Sequence, residues 1–400
     1  MKKIIFIFIG IFSIISCTND ILEINDGDIS PKKEISNEHK ITEEGALKLV
    51  NKLFVKTRSN TDISVDYVLN KNNPKTRTCI ASDTLAYIFN FNNNNGFAII
   101  ASDNRVFPLL AFSDTGHFTY EENENNPIYV NFISVLDDYM ATINDNDTSV
   151  IIPDDYLSTC CLQKPLLKTY KWHQQEPYDK YVIQEHPGCP VGCVAIATGQ
   201  IMINCGVDFY YHDFLFRCNA IIEATKPSDI PLYASSITPE DDNTITYSSE
   251  EATDHIAKLL YWIGKDLHFS YNPPPIGSAG SSYAARNLFK ETGFYVSEQT
   301  LEPFSAEDIS KQLDFYALIY VDGRVVGNTS QGHAWIIDGY GFCWKDINTK
   351  TEKTNFAFHC DWGWEGYANG YYSGEVFETP DYNFGNMRYF SVKRFEPMFQ

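Results

Sequence analysis

Three short stretches hold side chains suited to nucleophilic catalysis. Gly192-Cys193-Val194-Ala195-Ile196-Ala197-Thr198-Gly199-Gln200-Ile201-Met202 places a Cys at the head of a run of small and apolar residues. Such a run predicts a buried helix starting at the Cys, where the partial positive charge of the helix N-terminus stabilises thiolate, the nucleophilic form. A Cys in this setting also serves as an ordinary buried residue. Gly332-His333-Ala334-Trp335-Ile336-Ile337-Asp338-Gly339-Tyr340 carries a His into an apolar strand. There it acts either as a base with one side open to a site or as a satisfied core residue. His359-Cys360-Asp361-Trp362-Gly363-Trp364-Glu365-Gly366-Tyr367 sets a carboxylate before a Trp-Gly corner. Asp361 can fix an imidazole tautomer, as the third member of a triad does, and Trp362 can keep water from that bond. The alternative is a glycine-rich corner with two structural Trp.

The surrounding elements follow from pattern. Thr42 caps a helix with Ala46, Leu49, Val50, Leu53 and Phe54 at helical spacing. Leu85 to Phe91 and Gly96 to Ser102 read as a hairpin around a run of Asn, Phe107 to Phe112 as a strand and Asn131 to Thr142 as a helix. The polar stretch from Asn144 to Lys164 predicts a domain boundary and an exposed, cleavable connection. Beyond it, Ser248 and Glu251 form a capping box before a helix with Gly264 as its stop. Ser282 to Thr292 and Ser305 to Leu313 are further helices; Ala317 to Val321, Ala334 to Asp338, Phe356 to His359 and Tyr371 to Ser373 are strands. Helices first and strands later read as an α+β fold. No internal repeat, phosphate loop or dinucleotide fingerprint is present.

The 400 residues carry 31 Lys+Arg against 52 Asp+Glu, a net charge of −21. That balance excludes a general nucleic-acid binder, which needs cations to displace counterions from phosphate, and adhesion to an anionic membrane by charge alone. A hydrophobic fraction of 44% with 21% charged residues is that of a globular chain. The ten Cys show no framework spacing and no paired CxxC motifs, which excludes a structural zinc site. No metal or organic cofactor is called for, because a thiolate supplies the nucleophile.

Lys2 and Lys3, the apolar run Ile4 to Ile15 and the ending Ser16-Cys17 read as a secretory signal. The ending resembles a bacterial lipobox, with Ile15 where a small residue is usual, and implies membrane attachment through a lipidated Cys17. Ordinary cleavage near Ser16 gives a freely secreted chain instead.

In combination the stretches resemble the streptopain family of papain-like cysteine peptidases, in the form of the exported precursors of Bacteroides-type bacteria. Pro165-Leu166-Leu167-Lys168-Thr169, Trp172-His173-Gln174, Pro177-Tyr178, Gly192 to Met202, Gly332 to Tyr340 and Asp361 to Tyr372 carry the likeness, and Gly96 to Arg105 with Leu109 to Gly116 carry it to the family's propeptide. The 140 residues from Cys193 to His333 fall within the about 130–150 that separate Cys from His and Asn in papain-like enzymes. The resemblance implies a signal and lipobox over 1–17, a tether over 18–40, an inhibitory α+β propeptide over 41–150 and a cleavable linker over 151–164. A papain-like catalytic domain over 165–400, helical part plus antiparallel sheet, completes it.

The same resemblance implies Cys193 as nucleophile, His333 as general base and then acid, and Asp361 as the group that orients the His. Gln174 becomes the side-chain oxyanion donor beside the Cys193 N–H, with adjacent Gln175 a competing assignment, and Trp362 packs beside the His. Its partners are protein or peptide substrates, with a bulky apolar residue just before the residue at the cut, and its own propeptide as inhibitor. Gly277 to Ser282 and Val325 to Gln331 are candidate cleft loops or ordinary surface loops. The sequence departs from the family in three places. Asp361 stands where the family has Asn; its charge favours imidazolium more strongly, so that either the ion pair survives the change or the pH optimum moves. The segment Ile203 to Phe216 lacks the expected His/Pro pattern. Cys189 lies close enough to Cys193 to form a disulfide with it, to pair elsewhere or to stay free. The competing functions are a catalytically inactive streptopain-like surface binding protein, a lipid-anchored protein that binds through its N-terminal domain, and a transferase using the same triad.

Overall fold

The computed structural model describes residues 39–54, 63–69, 84–92, 94–119, 128, 132–133, 136–141, 143, 160–163, 165–169, 171–226, 245–297, 302–325, 328–344, 348, 350, 352–377 and 387–393. The expected signal (1–17), the tether up to 38 and the linker apart from 160–163 lie outside these residues.

In the N-terminal part, helix α1 (Glu43–Phe54) begins where the Thr42 Oγ1 accepts the Gly45 N–H at 3.2 Å. Its Ala46 and Val50 are buried against Tyr87, Phe89 and Ile100. The expected hairpin forms as β2 (Thr84–Phe91) and β3 (Phe97–Ala101), followed by β4 (Leu109–Ser113). β2 and β3 are buried almost throughout because α1 covers one face and the main core the other. An edge strand not expected from the sequence, β1 (Ile63–Leu69), pairs with β2. The helix expected over 131–142 is, among the described residues, α2 (Leu136–Ala141).

The C-terminal part holds β5 (Cys160–Leu162), α3 (Val182–Glu185), α4 (Cys193–Asn204), the small pair β6 (Phe209–Tyr211) and β7 (Phe214–Phe216), α5 (Cys218–Thr225), α6 (Ser249–Asp266) and α7 (Ser282–Glu291). Then come β8 (Tyr295–Val296), β9 (Glu302–Pro303), α8 (Ala306–Asp314), β10 (Leu318–Val325), β11 (Asn328–Trp344), β12 (Lys353–Asp361), β13 (Gly370–Ser373), α9 (Gly374–Phe377) and β14 (Arg388–Lys393). The Ser248–Glu251 capping box opens α6 as expected, but the helix runs past Gly264 to Asp266. Gly264 is an interior contact, not a stop: the Tyr271 hydroxyl sits 1.9 Å from where its Cβ would be.

The two parts share one sheet of twelve strands, in the order β1-β2-β3-β4-β13-β12-β11-β10-β14-β8, with β5 on β11 and β9 on β14. The seam is β4 against β13, where Phe112 faces Tyr371 and Ala111 faces Tyr372. One hydrophobic core runs beneath the seam, uniting Phe97, Leu110 and Phe118 with Trp335, Trp362 and Tyr372. A second core surrounds α4, built with α6, α7 and the opposite face of β10 and β11. The disulfide Cys160–Cys343 fastens β5 to β11.

Candidate active site

Cys193 heads α4. Gly192 before it has φ 91°, and a Cβ there would lie 2.9 Å from the Phe269 ring and 3.0 Å from the Ser278 carbonyl. Only glycine lets the chain turn into the helix at that point. Every residue from Val194 to Ile203 is buried, as suits a helix apolar on all sides. The Val191 N–H donates to the Gln174 carbonyl at 2.9 Å, which sets the Trp172-His173-Gln174 stretch beside the turn into Cys193. Gln174 is half-buried there, whereas Gln175 is exposed.

Strand β11 lies against the thiol. Burial pushes Cys193 up to about 11; the N–H of Ala334, next to His333, works the other way and Asp322 adds to the rise. Cys193 and Cys189 are both free, so the expected option of a disulfide between them is not the one taken.

His333 sits on the other face of β11. Its ring runs parallel to Trp335 within 9° and lies 6.5 Å from the Trp362 ring, whereas Ala334 and Ile336 pack in the core around α4. Side chains alternate across a strand, so these two sets point to opposite faces. The His333 Nε2 is 2.8 Å from the Trp362 carbonyl oxygen. A carbonyl only accepts, so the imidazole carries its proton on Nε2. Burial drives this imidazole down to about 4, the Trp362 carbonyl opposing. Among the described residues no hydrogen bond joins Cys193 and His333. The fold thus brings the two to one segment of β11, both uncharged at neutral pH.

Asp361 is 1% exposed. Its Oδ1 accepts the Gly363 N–H at 2.9 Å, and its Oδ2 lies 3.5 Å from the Gln200 Nε2. It shares no hydrogen bond with His333. The expected orienting carboxyl is tied to its own turn and to α4, and the main chain of Trp362 holds the imidazole instead. Burial raises Asp361 to about 7, the Gly363 N–H opposing and Asp338 adding to the rise. Trp362 packs beside His333 as expected, and its ring also meets Trp335 at 5.1 Å.

Two features were not anticipated. Gln200 is fully buried two turns below Cys193 and donates to the Thr169 carbonyl at 3.0 Å. A buried-looking amide between apolar neighbours in the helix, Gly199-Gln200-Ile201, was the available signal. The buried Asp338 pairs with the half-buried His359 at 2.6 Å, and the second Asp338 oxygen accepts the Leu167 N–H at 2.9 Å. Among the described residues no group of three or more His, Cys, Asp or Glu could hold a metal ion.

The N-terminal part reaches the turn that follows Trp362. The Tyr367 hydroxyl accepts the Thr119 N–H at 2.8 Å and donates to the Thr119 carbonyl at 3.1 Å. Phe112 stacks on Tyr371 at 5.0 Å.

Residues 172–372 match the model described as the Peptidase C10 family. The chain belongs to this family. A second model, described as Spi protease inhibitor, matches residues 38–143. Streptopain of Streptococcus pyogenes is 28% identical over 322 residues, covering 72% of this chain and 73% of that protein. The thiol protease/hemagglutinin PrtT of Porphyromonas gingivalis is 24% identical over 323 residues, 72% of this chain and 33% of the other. Among solved structures, a fragment of Prevotella intermedia prointerpain A aligns with a TM-score of 0.51 at 19% identity, covering 82% of this chain and 98% of the fragment, a likeness of fold. As a C10 peptidase the chain is a papain-like cysteine peptidase with an inhibitor-like propeptide, and its partners are protein substrates and that propeptide.

Proposed function

We propose that the chain is the zymogen of an exported cysteine endopeptidase in which Cys193 is the nucleophile and His333 the acid and base. The observation that carries this reading is Cys193 at the head of a buried helix with the His333-Ala334 segment of β11 against its thiol. In the working enzyme the imidazole turns to the Cys193 face and takes its proton. The thiolate then attacks the scissile carbonyl. The N–H of Cys193 and the Gln174 side chain receive the oxyanion, imidazolium protonates the leaving amine, and water releases the acyl group.

Residues 39–143 keep the described state latent. Thr119 and Phe112 hold the segment from Tyr367 to Tyr371, which continues from the Trp362 carbonyl on which His333 is parked. Cutting within the connection frees that segment. The residues 1–17 direct export, with Cys17 as a lipid attachment point. The loop Gly277 to Ser282 lines the cleft beside the nucleophile: Ser278 Oγ donates to the Pro190 carbonyl at 2.5 Å, and its own carbonyl abuts Gly192. A bulky apolar residue just before the residue at the cut is the expected preference. Casein hydrolysis by matured wild-type, Cys193→Ala and His333→Ala proteins tests the reading. Hydrolysis by wild type alone supports it, and equal hydrolysis by Cys193→Ala overturns it.

A further inference from the structure

Helix α4 carries a stripe of polar side chains on the face below Cys193. Gln200 follows Cys193 by seven residues and Asn204 follows Gln200 by four, which places all three along one side of the helix. Asn204 holds the incoming segment, accepting the Lys168 N–H at 2.9 Å and donating to the Thr169 hydroxyl at 2.6 Å, and donates as well to the Gln200 main-chain carbonyl at 2.8 Å. Gln200 reaches further. Its one amide nitrogen spans the Thr169 carbonyl at 3.0 Å and the Asp361 carboxyl at 3.5 Å. The other Asp361 oxygen accepts the Gly363 N–H, and Gly363 packs so tightly on Ile196 that a Cβ would come within 2.9 Å of it. The turn Asp361-Trp362-Gly363 is therefore docked on α4 at Ile196 and again one helical turn lower at Gln200. The carbonyl between those two anchors is the His333 acceptor.

We propose that Gln200 and Asp361 form a buried bridge between the nucleophile helix and the turn that controls His333, which makes Gln200 a positioning residue for catalysis. This rests on the peptidase reading above and deepens it. The bridge suits a carboxyl at 361. With an Asn there, an amide nitrogen meets the Gln200 amide nitrogen, or Gln200 turns over and abandons Thr169. The bridge is sensitive to proton state as well. The titratable groups around Asp361 are Asp338 on β11 and His359 and Cys360 on its own strand, while α4 presents the neutral Gln200, the turn after Gly363 the neutral Asn369 and the 165–169 segment a carbonyl. Burial and Asp338 together raise Asp361 to about 7.

The test exchanges the two functional groups in the full chain, matured before assay. Gln200→Glu alone sets two carboxyls side by side, which must share a proton; kcat falls at least about tenfold at pH 7.5 and recovers near about pH 5 with KM within about twofold of wild type. Adding Asp361→Asn restores a carboxyl–amide pair, and kcat at pH 7.5 returns to within about fivefold of wild type. Asn204→Ala, which loses bonds to Thr169 and to the Gln200 main-chain carbonyl but leaves the Gln200 side chain and Asp361 in place, lowers the melting temperature and leaves the pH profile of kcat unchanged. Should Gln200→Glu not fold, Gln200→Met replaces it with the same expected drop in kcat at unchanged KM. A Gln200 variant with wild-type kcat at pH 7.5, or additive losses in the exchanged pair, overturns the bridge and leaves the peptidase reading standing. A Cys193→Ala chain as active as wild type overturns both.

Discussion

Phe112 and Tyr371 stack at 5.0 Å with their rings 12° apart, and they are paired residues on neighbouring strands of one sheet. The first belongs to the segment matching a protease inhibitor, the second to the peptidase segment. The inhibitory segment therefore joins the enzyme by adding strands to its sheet, using main-chain bonds for affinity and aromatic packing for register.

Phe112→Ala removes that stack. An aromatic pair contributes about 0.5–1.5 kcal/mol beyond its buried area. The lag before peptidase activity appears from the intact chain should shorten about two- to tenfold. An unchanged lag would show that the stack plays no part in latency.

The intact chain should lack a thiolate–imidazolium pair. Cys193 is pushed up to about 11 and His333 down to about 4, so both are neutral between those values. Alkylation of Cys193 by iodoacetamide in the intact chain should climb with pH toward about 11 and show no plateau near neutrality. After maturation, labelling at pH 6 should become fast. Fast labelling of the intact chain at pH 6 contradicts the latent geometry.

Asp361 should shape stability against pH. Folded, it holds its proton to about 7, against 3.8 for the ordinary carboxyl. Between those values the folded chain binds more protons than the unfolded one, so stability falls as pH rises through the window. Asp361→Asn should flatten that fall, seen as a smaller difference in melting temperature between pH 4 and pH 7. An identical difference in wild type and variant refutes the assignment.

The segment from Cys160 to Leu167 should stay with the enzyme after maturation. It pairs with β11, donates Leu166 and Leu167 N–H groups to Asp338 and is fastened by Cys160–Cys343. The mature N-terminus should therefore lie before Cys160, narrowing the expected range of Asn144 to Lys164. Replacing both disulfide cysteines with Ser should cost the mature enzyme about 2–5 kcal/mol. Edman sequencing that begins after Cys160 contradicts this.

Much of the fold was legible where local chemistry decides it. Caps at Thr42 and Ser248 marked helix starts. Gly192-Cys193 marked the start of buried helix α4. What escaped the sequence depends on contacts between distant residues. The β4–β13 pairing joins positions some 260 residues apart, and no local pattern announces a partner. The alternation His333-Ala334-Trp335-Ile336 told that His333 and Ala334 point to opposite faces, but not which face meets Cys193. Asp361 was legible as a carboxyl beside the site; its attachment to Gln200 instead of His333 follows from how the turn docks on α4.

The most direct test of Cys193 as the nucleophile of a zymogen is intact mass over time for the chain from Thr18 onward, with and without thiol, beside Cys193→Ala. The account predicts thiol-dependent loss of the residues ahead of Cys160 in wild type, and an unchanged mass for Cys193→Ala held alone. Equal loss from purified wild type and Cys193→Ala would contradict it.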